Sequence, residues 1–319
     1  MTHNQLYKFY VASCEKDGGI YLCKHDGHSS RIIEKTSIDR PMYLTKSDMS
    51  LYAVLRQPFS HSVNSGIVSF DINNDFTLSN QSDIISTRGK VGCHLCVSDN
   101  VVYCANYSSG NIIKIPDTVV NHKGNSVNRK RQEMPHPHFI YNGTDDRVFV
   151  CDLGTDKIYV YDKDLNLITE ASVPEGHGPR HLVFNNNYVY CVNELMSTVS
   201  VFTFSNDSLT HIQTVSALPD NYKDETTAAA IRFHDGYLYT SNRGHDSISV
   251  FKLINNIPHL ITNVSTGGKS PRDFNIIGDF LICANENSNN VTFFRLIDGV
   301  PKKLQYELDI KTPLCITGV

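Results

Sequence analysis

The 319-residue chain has no tryptophan, five methionines and only nine alanines. With so few strong helix formers beside 16 Tyr, 15 Phe and many β-branched residues, strands are favoured over helices. Charge is also scarce, at 19% of residues, and neither sign dominates: 29 Lys+Arg against 33 Asp+Glu give a formal net charge of -4. The missing basic excess argues against nucleic acid as a partner. No apolar run approaches the ~18–20 residues that a membrane helix needs, so no membrane partner is expected. The N-terminus MTHNQLYKFYVASCEK has no basic stretch leading into an apolar one, which points to a cytoplasmic location. Nine cysteines, an odd number spread along the chain, fit reduced thiols rather than a disulfide framework.

What is present is a repeat. Seven segments share a short apolar strand, a small polar pair, a turn and an alternating strand. They read YVASCEKDGGIYLC, YAVLRQPFSHSVNSGIVSF, YCANYSSGNIIKI, VCDLGTDKIYVY, YCVNELMSTVSVF, YTSNRGHDSISVF and ICANENSNNVTFF. Their anchor residues are Cys14, Leu55, Asn106, Asp152, Asn193, Asn242 and Asn285, with a mean spacing of about 45 residues. That period, with about four strands per unit, is the period of a propeller blade. A further strand precedes each pair, as in RPMYL, VGCHLC, HPHFIY, GPRHLVF, AAAIRF and SPRDFNI. A seventh copy, TPLCITGV, is left at the C-terminus, while the N-terminal pair has none before it. The pattern therefore predicts an all-β, seven-bladed β-propeller in a single domain, 1–319, with four-stranded antiparallel blades. The C-terminal strand joins the N-terminal blade and closes the ring. Residues Pro116–Pro135, between the third and fourth blades, read as an exposed loop, and its run Asn128–Gln132 as a solvated one.

A structural repeat is informative where its members differ. The start of each innermost strand and the end of the next lie at one end of the central channel, because antiparallel neighbours run in opposite directions. The strand ends supply Glu15, Arg56, Tyr107, Leu153, Glu194, Arg243 and Glu286. The strand starts supply the pairs Met42/Tyr43, Cys93/His94, Pro137/His138, Arg180/His181, Ala229/Ala230, Arg272/Asp273 and Leu314/Cys315. One mouth thus gathers Arg180, Arg243, Arg272, Glu194, His94, His138 and His181. Arginine forks suit a carboxylate or phosphate, and Glu194 or His138 suits general acid–base work. Asn106, Asp152 and Asn285 are further candidates for substrate contact, although asparagines at such positions also bond turn backbones. No GxSxG motif is present, so a hydrolysis here would use water directly.

Other motifs carry less. Cys93–Cys96 has CxxC spacing without a second pair, and Cys104, Cys191 and Cys283 read as small buried strand residues. No cofactor is required. A divalent ion in the channel is left open by His136 and His138, with oxygens from Asp152 and Asn106.

At these same residues the sequence resembles the seven-bladed propeller lactonase family, which includes one type of 6-phosphogluconolactonase and the carboxymuconate-lactonizing enzyme. The strings GPRHLVFNNNYVYCVNEL, IRFHDGYLYTSNRGHDSISVF and GGKSPRDFNIIGDFLICANENSNNVTFF carry the resemblance, which is strongest from Gly92 to Leu296. The resemblance implies His138, Arg180, Glu194 and Arg243 as catalytic residues. One departure is that Ala230 stands where many relatives have Glu. The function expected is hydrolysis of an anionic lactone or sugar phosphate lactone, most like 6-phosphogluconolactone. Cycloisomerisation of an unsaturated polycarboxylate and a non-enzymatic binding propeller are the alternatives.

Overall fold

The computed structural model describes residues 6–143 and 146–319. Its strands form seven antiparallel sheets in chain order around one axis. The first blade joins Tyr7–Ser13, Gly19–His25 and Ser30–Ser37 to Pro313–Gly318, which is its innermost strand. The closing register pairs Tyr10 with Thr317, Val11 with Ile316 and Ala12 with Cys315. The fold is the seven-bladed propeller that the repeat predicts.

Two details differ from the expected pattern. The outermost strand of the second blade is split into Leu78–Ser79 and Ile85–Ser86, which both pair with Gly66–Ile72. The segment expected as a loop, Pro116–Pro135, contains Thr118–Asn121, the outermost strand of the third blade. Within the run Asn128–Gln132, Arg129 and Lys130 are exposed as a solvated loop would have them, but Gln132 is fully buried.

The blades hold together through seven apolar layers, one between each adjacent pair. Tyr10, Leu44 and Phe70 fill the first–second interface, and Phe9, Ile282 and Phe293 fill the seventh–first. Cys104, Cys151, Cys191 and Cys283 are buried residues of these layers, and all nine cysteines are unpaired. The tight hairpins use consecutive left-handed residues such as Asp99–Asn100, Asn206–Asp207 and Asn255–Asn256, a conformation that short polar side chains tolerate.

One irregularity recurs in every blade. Each innermost strand has one extra residue near its start, opposite a shorter stretch of the neighbouring strand. The extra residues are Met42, Cys93, His138, Arg180, Arg272 and Leu314, while Ala229 and Ala230 share one partner in the sixth blade. In five blades the preceding residue is a proline, which cannot donate to a sheet ladder and is confined to strand starts and bulges. A bulge re-aims the side chain it carries. Here six bulge residues line the channel floor together.

Candidate active site

The floor is a pocket of about 10 Å3 lined by Met42, Tyr43, Cys93, His138, Arg180, His181, Arg272, Asp273 and Leu314. It admits one water molecule or a carbonyl oxygen and nothing larger. Towards the fifth and sixth blades lies a cavity of about 790 Å3, whose lining includes Arg131, Arg243, Lys223 and Lys269 with Asp224, Glu225 and Asp246.

Glu194 organises the site. It follows the second strand of the fifth blade and is 3% exposed. Its Oε2 accepts from Arg180 Nε at 2.9 Å and lies 3.1 Å from Arg243 Nη2. Its Oε1 accepts from Arg131 Nη2 at 2.6 Å. Burial alone would raise the Glu194 pKa. The charges of Arg243 and Arg180, with His138 and Arg131, pull it well below the ordinary carboxylate range. Burial lowers Arg180 to about 10 against the pull of Glu194, so it stays charged at neutral pH. Arg180 Nη1 donates to the Ala229 carbonyl at 2.7 Å and to His181 Nε2 at 3.2 Å. A guanidinium only donates, so His181 Nε2 accepts and its proton sits on Nδ1.

Three histidines run inward from the floor with their rings tilted or edge-on to one another. The rings of His138 and His181 are 5.4 Å apart, and those of His181 and His94 5.2 Å. Burial, reinforced by Arg180, holds His138 and His181 well below their ordinary value, and burial with Arg232 lowers His94 to about 3. All three are neutral at pH 7. Among the described residues two buried nitrogens at this site have no partner: His138 Nδ1 and Arg243 Nε. Buried polar groups are nearly always satisfied, so each orphan calls for an explanation such as a ligand or a catalytic role.

The structure brings His138, Arg180, Glu194 and Arg243 to one place, with His181 and Arg272 on the floor beside them. Arg272 lies 3.4 Å from Glu286. Other candidates go elsewhere. His94 lies below, wedged between Tyr43 and Phe139 at ring distances of 4.2 and 4.5 Å. Asn106 and Asn285, expected to contact substrate, are fully buried within their blades. Asn106 donates to the Thr87 carbonyl and Asn111, and Asn285 to Thr292. Glycines cover both: a Cβ on Gly268 would lie 2.4 Å from Asn285 Cγ, and one on Gly89 2.5 Å from Asn106 Cγ. Asp152 is likewise withdrawn, accepting from His136 N at 2.7 Å and lying 2.6 Å from His122 Nδ1. These three are internal pins, because an anchor pairs across the sheet one step before the bulge that turns to the channel.

Sequence reasoning missed Arg131 and Asp156. The Asp156 carboxylate, 3% exposed, accepts from Ser126 Oγ at 2.5 Å and from Gln132 Nε2, Gly176 N and Gly178 N, each at 2.7 Å. One acid thereby fixes both the loop carrying Arg131 and the turn leading to Arg180. The signal was faint: a loop outside the repeat register offers no position to compare. His136, the other half of the HPH pair, stacks on Tyr107 and bonds its carbonyl. Among the described residues no three His, Cys, Asp or Glu side chains are grouped as a metal ion would require.

An arginine-rich pocket at one mouth of a seven-bladed propeller is the class that fold and geometry define. The family model described as lactonase, 7-bladed beta-propeller, matches residues 8–317, and the chain belongs to that family. An uncharacterised protein of Staphylococcus aureus is 31% identical over 313 residues, with 88% of this chain and 90% of that one covered. A Lactobacillus plantarum crystal structure superposes with a TM-score of 0.91 at 26% identity, covering 99% of this chain and 100% of that one. A candidate 6-phosphogluconolactonase from Bacteroides fragilis gives 0.89 at 25% identity, covering 100% and 99%.

Proposed function

We propose that the protein is a cytoplasmic lactone hydrolase acting on an anionic sugar lactone of the 6-phosphogluconolactone kind. Family membership and the Bacteroides fragilis neighbour support lactone chemistry. Nine unpaired cysteines support a reducing compartment. The observation that carries the reading is the pair of orphan nitrogens, His138 Nδ1 and Arg243 Nε, beside a buried arginine–carboxylate cluster.

In this reading the substrate occupies the wide cavity with its carbonyl directed at the floor. Neutral His138 takes a proton on Nδ1 from the attacking water, and the water oxygen bonds to the carbonyl carbon. Arg243 Nε donates to the developing oxyanion, in a field to which Arg180 adds. Collapse breaks the ring C–O bond, and His138 returns the proton to the departing ring oxygen. Both oxygens of Glu194 are engaged by Arg131, Arg180 and Arg243, so it fixes the arginines, while His138 Nδ1 is left open to the water. The test is lactone opening at a mildly acidic pH where the spontaneous reaction is slow. A purified protein that adds nothing to the background rate, or a His138→Gln variant with full activity, defeats the proposal.

A further inference from the structure

We propose that Arg131 is a specificity-determining residue. One side of its guanidinium holds Glu194, and the other receives an anionic group that the substrate carries away from its lactone ring. This rests on the lactone reading above and adds a place for the second charge.

Arg131 is the exposed member of the cluster. Its side chain is 39% exposed, against 3% for Arg180 and 15% for Arg243. Arg180 and Arg243 also donate to the carbonyls of Ala229 and Ala228, which leaves them little freedom to follow a ligand. Arg131 uses Nη2 alone, towards Glu194 Oε1 at 2.6 Å and Tyr107 Oη at 3.4 Å. Among the described residues its Nε and Nη1 have no hydrogen-bond partner. Such a fork suits bidentate contact with a carboxylate or phosphate.

The loop is built to present it. The Asn128 carbonyl accepts from Arg131 N at 3.1 Å and Gln132 N at 2.7 Å, closing a tight turn. Next in sequence, fully buried Gln132 donates to the Leu153 carbonyl at 2.9 Å and to Asp156. A buried residue adjacent to an exposed arginine fixes where that arginine stands, which lowers the ordering cost of binding.

The surroundings discriminate. Arg131, Arg243, Lys223 and Lys269 line the cavity with Asp224, Glu225 and Asp246. Asp246 is already engaged, by Lys269 Nζ at 3.1 Å, Ser270 N at 2.7 Å and Gly244 N at 3.3 Å. Among these cations Arg131 is the one tied to Glu194 through Nη2 while its side chain stays 39% exposed, so an anion in the cavity can reach it next to the buried cluster.

The experiment compares hydrolysis of 6-phosphoglucono-1,5-lactone with that of glucono-1,5-lactone by the full-length protein, Arg131→Gln and Arg131→Lys. The expected result is a fall of at least tenfold in the ratio of kcat/KM values, phosphorylated over unphosphorylated, in Arg131→Gln. Most of it should appear in KM, and Arg131→Lys should be intermediate. Equal losses on both lactones overturn the proposal, since Arg131 then acts only through Glu194. Should the wild-type protein open neither lactone, the hydrolase reading fails by itself, and the anion site is decided by calorimetry. Tighter binding of 6-phosphogluconate than of gluconate, weakened at least tenfold by Arg131→Gln, supports it; absent or unselective binding overturns it.

Discussion

The two ends of the central channel are made by the same inner strands, and they differ completely. At one end the strands begin, with a bulge in each, and Arg180, His138 and Arg272 converge beside Glu194. At the other, a cavity of about 310 Å3 is lined by Phe139, Tyr141, Leu182, Val183, Phe184 and Phe233, with one arginine, Arg232, held by Asp273 at 2.8 Å. Strands leave this end through short hairpins whose geometry fixes them. The bulged end receives the connections between blades, which vary in length and bring in residues such as Arg131. Chemistry gathers where the scaffold leaves its connections free.

Removing charge should break the contrast most sharply. Glu194→Gln is expected to lower kcat/KM by about a hundredfold or more, because the arginines lose their common anchor. Tyr141→Ala at the opposite end, on a residue 42% exposed, should leave activity within about twofold. Steady-state lactone hydrolysis measures both.

His138→Gln should cost on the order of a hundredfold in kcat. The pH profile sharpens this expectation. His138 is held well below its ordinary value by burial, so its neutral form is present throughout pH 6–8. The wild-type rate should therefore show no acid limb near 6.5, and such a limb would contradict a buried neutral base.

Asp156→Asn replaces two acceptor oxygens by one acceptor and one donor, opposite four donors. Urea unfolding should show a loss of roughly 1–3 kcal/mol. The fall in activity should resemble that of Arg131→Gln more than that of Glu194→Gln, because the Arg131 loop is released while the Glu194 carboxylate remains.

The smallest effect concerns a second orphan histidine. His25 lies at the far end of the first blade among Tyr7, Phe9, Phe280 and Phe293, and neither ring nitrogen has a partner among the described residues. Burial lowers its pKa from 6.5 to about 4, with Asp26 opposing. The unfolded chain thus binds a proton that the folded one refuses between those values, and stability falls as pH drops through this window. His25→Phe should gain over the wild type by a few degrees in Tm at pH 5 relative to pH 7.5. Both orphans are buried, but only His138 sits beside arginines and a cavity.

The blades and the ring closure were legible because strands and turns recur at a fixed period. The mouth set was legible because antiparallel pairing determines which strand ends meet. Asn106, Asp152 and Asn285 were misplaced because period alone does not reveal that one residue separates a pin from a bulge. Arg131 was invisible for a different reason. Its position comes from Gln132 and Asp156, a contact between an irregular loop and a turn 24 residues away, and no periodicity encodes it. The base was open between Glu194 and His138, since a pKa depends on neighbours in space: three arginines around the acid, and burial around the imidazole.

Closure of the ring also sets a condition on biosynthesis. The Ser13 hydroxyl donates to the Lys311 carbonyl, 298 residues further along. Until that distant partner has been synthesised, the strand Tyr7–Ser13 has one unpaired side, an open template for pairing with other chains. Loop-closure entropy rises only logarithmically with length, so the long wait adds little to the final stability cost. The exposure is one of time on the ribosome, and a chaperone able to cover a β-edge would act there first.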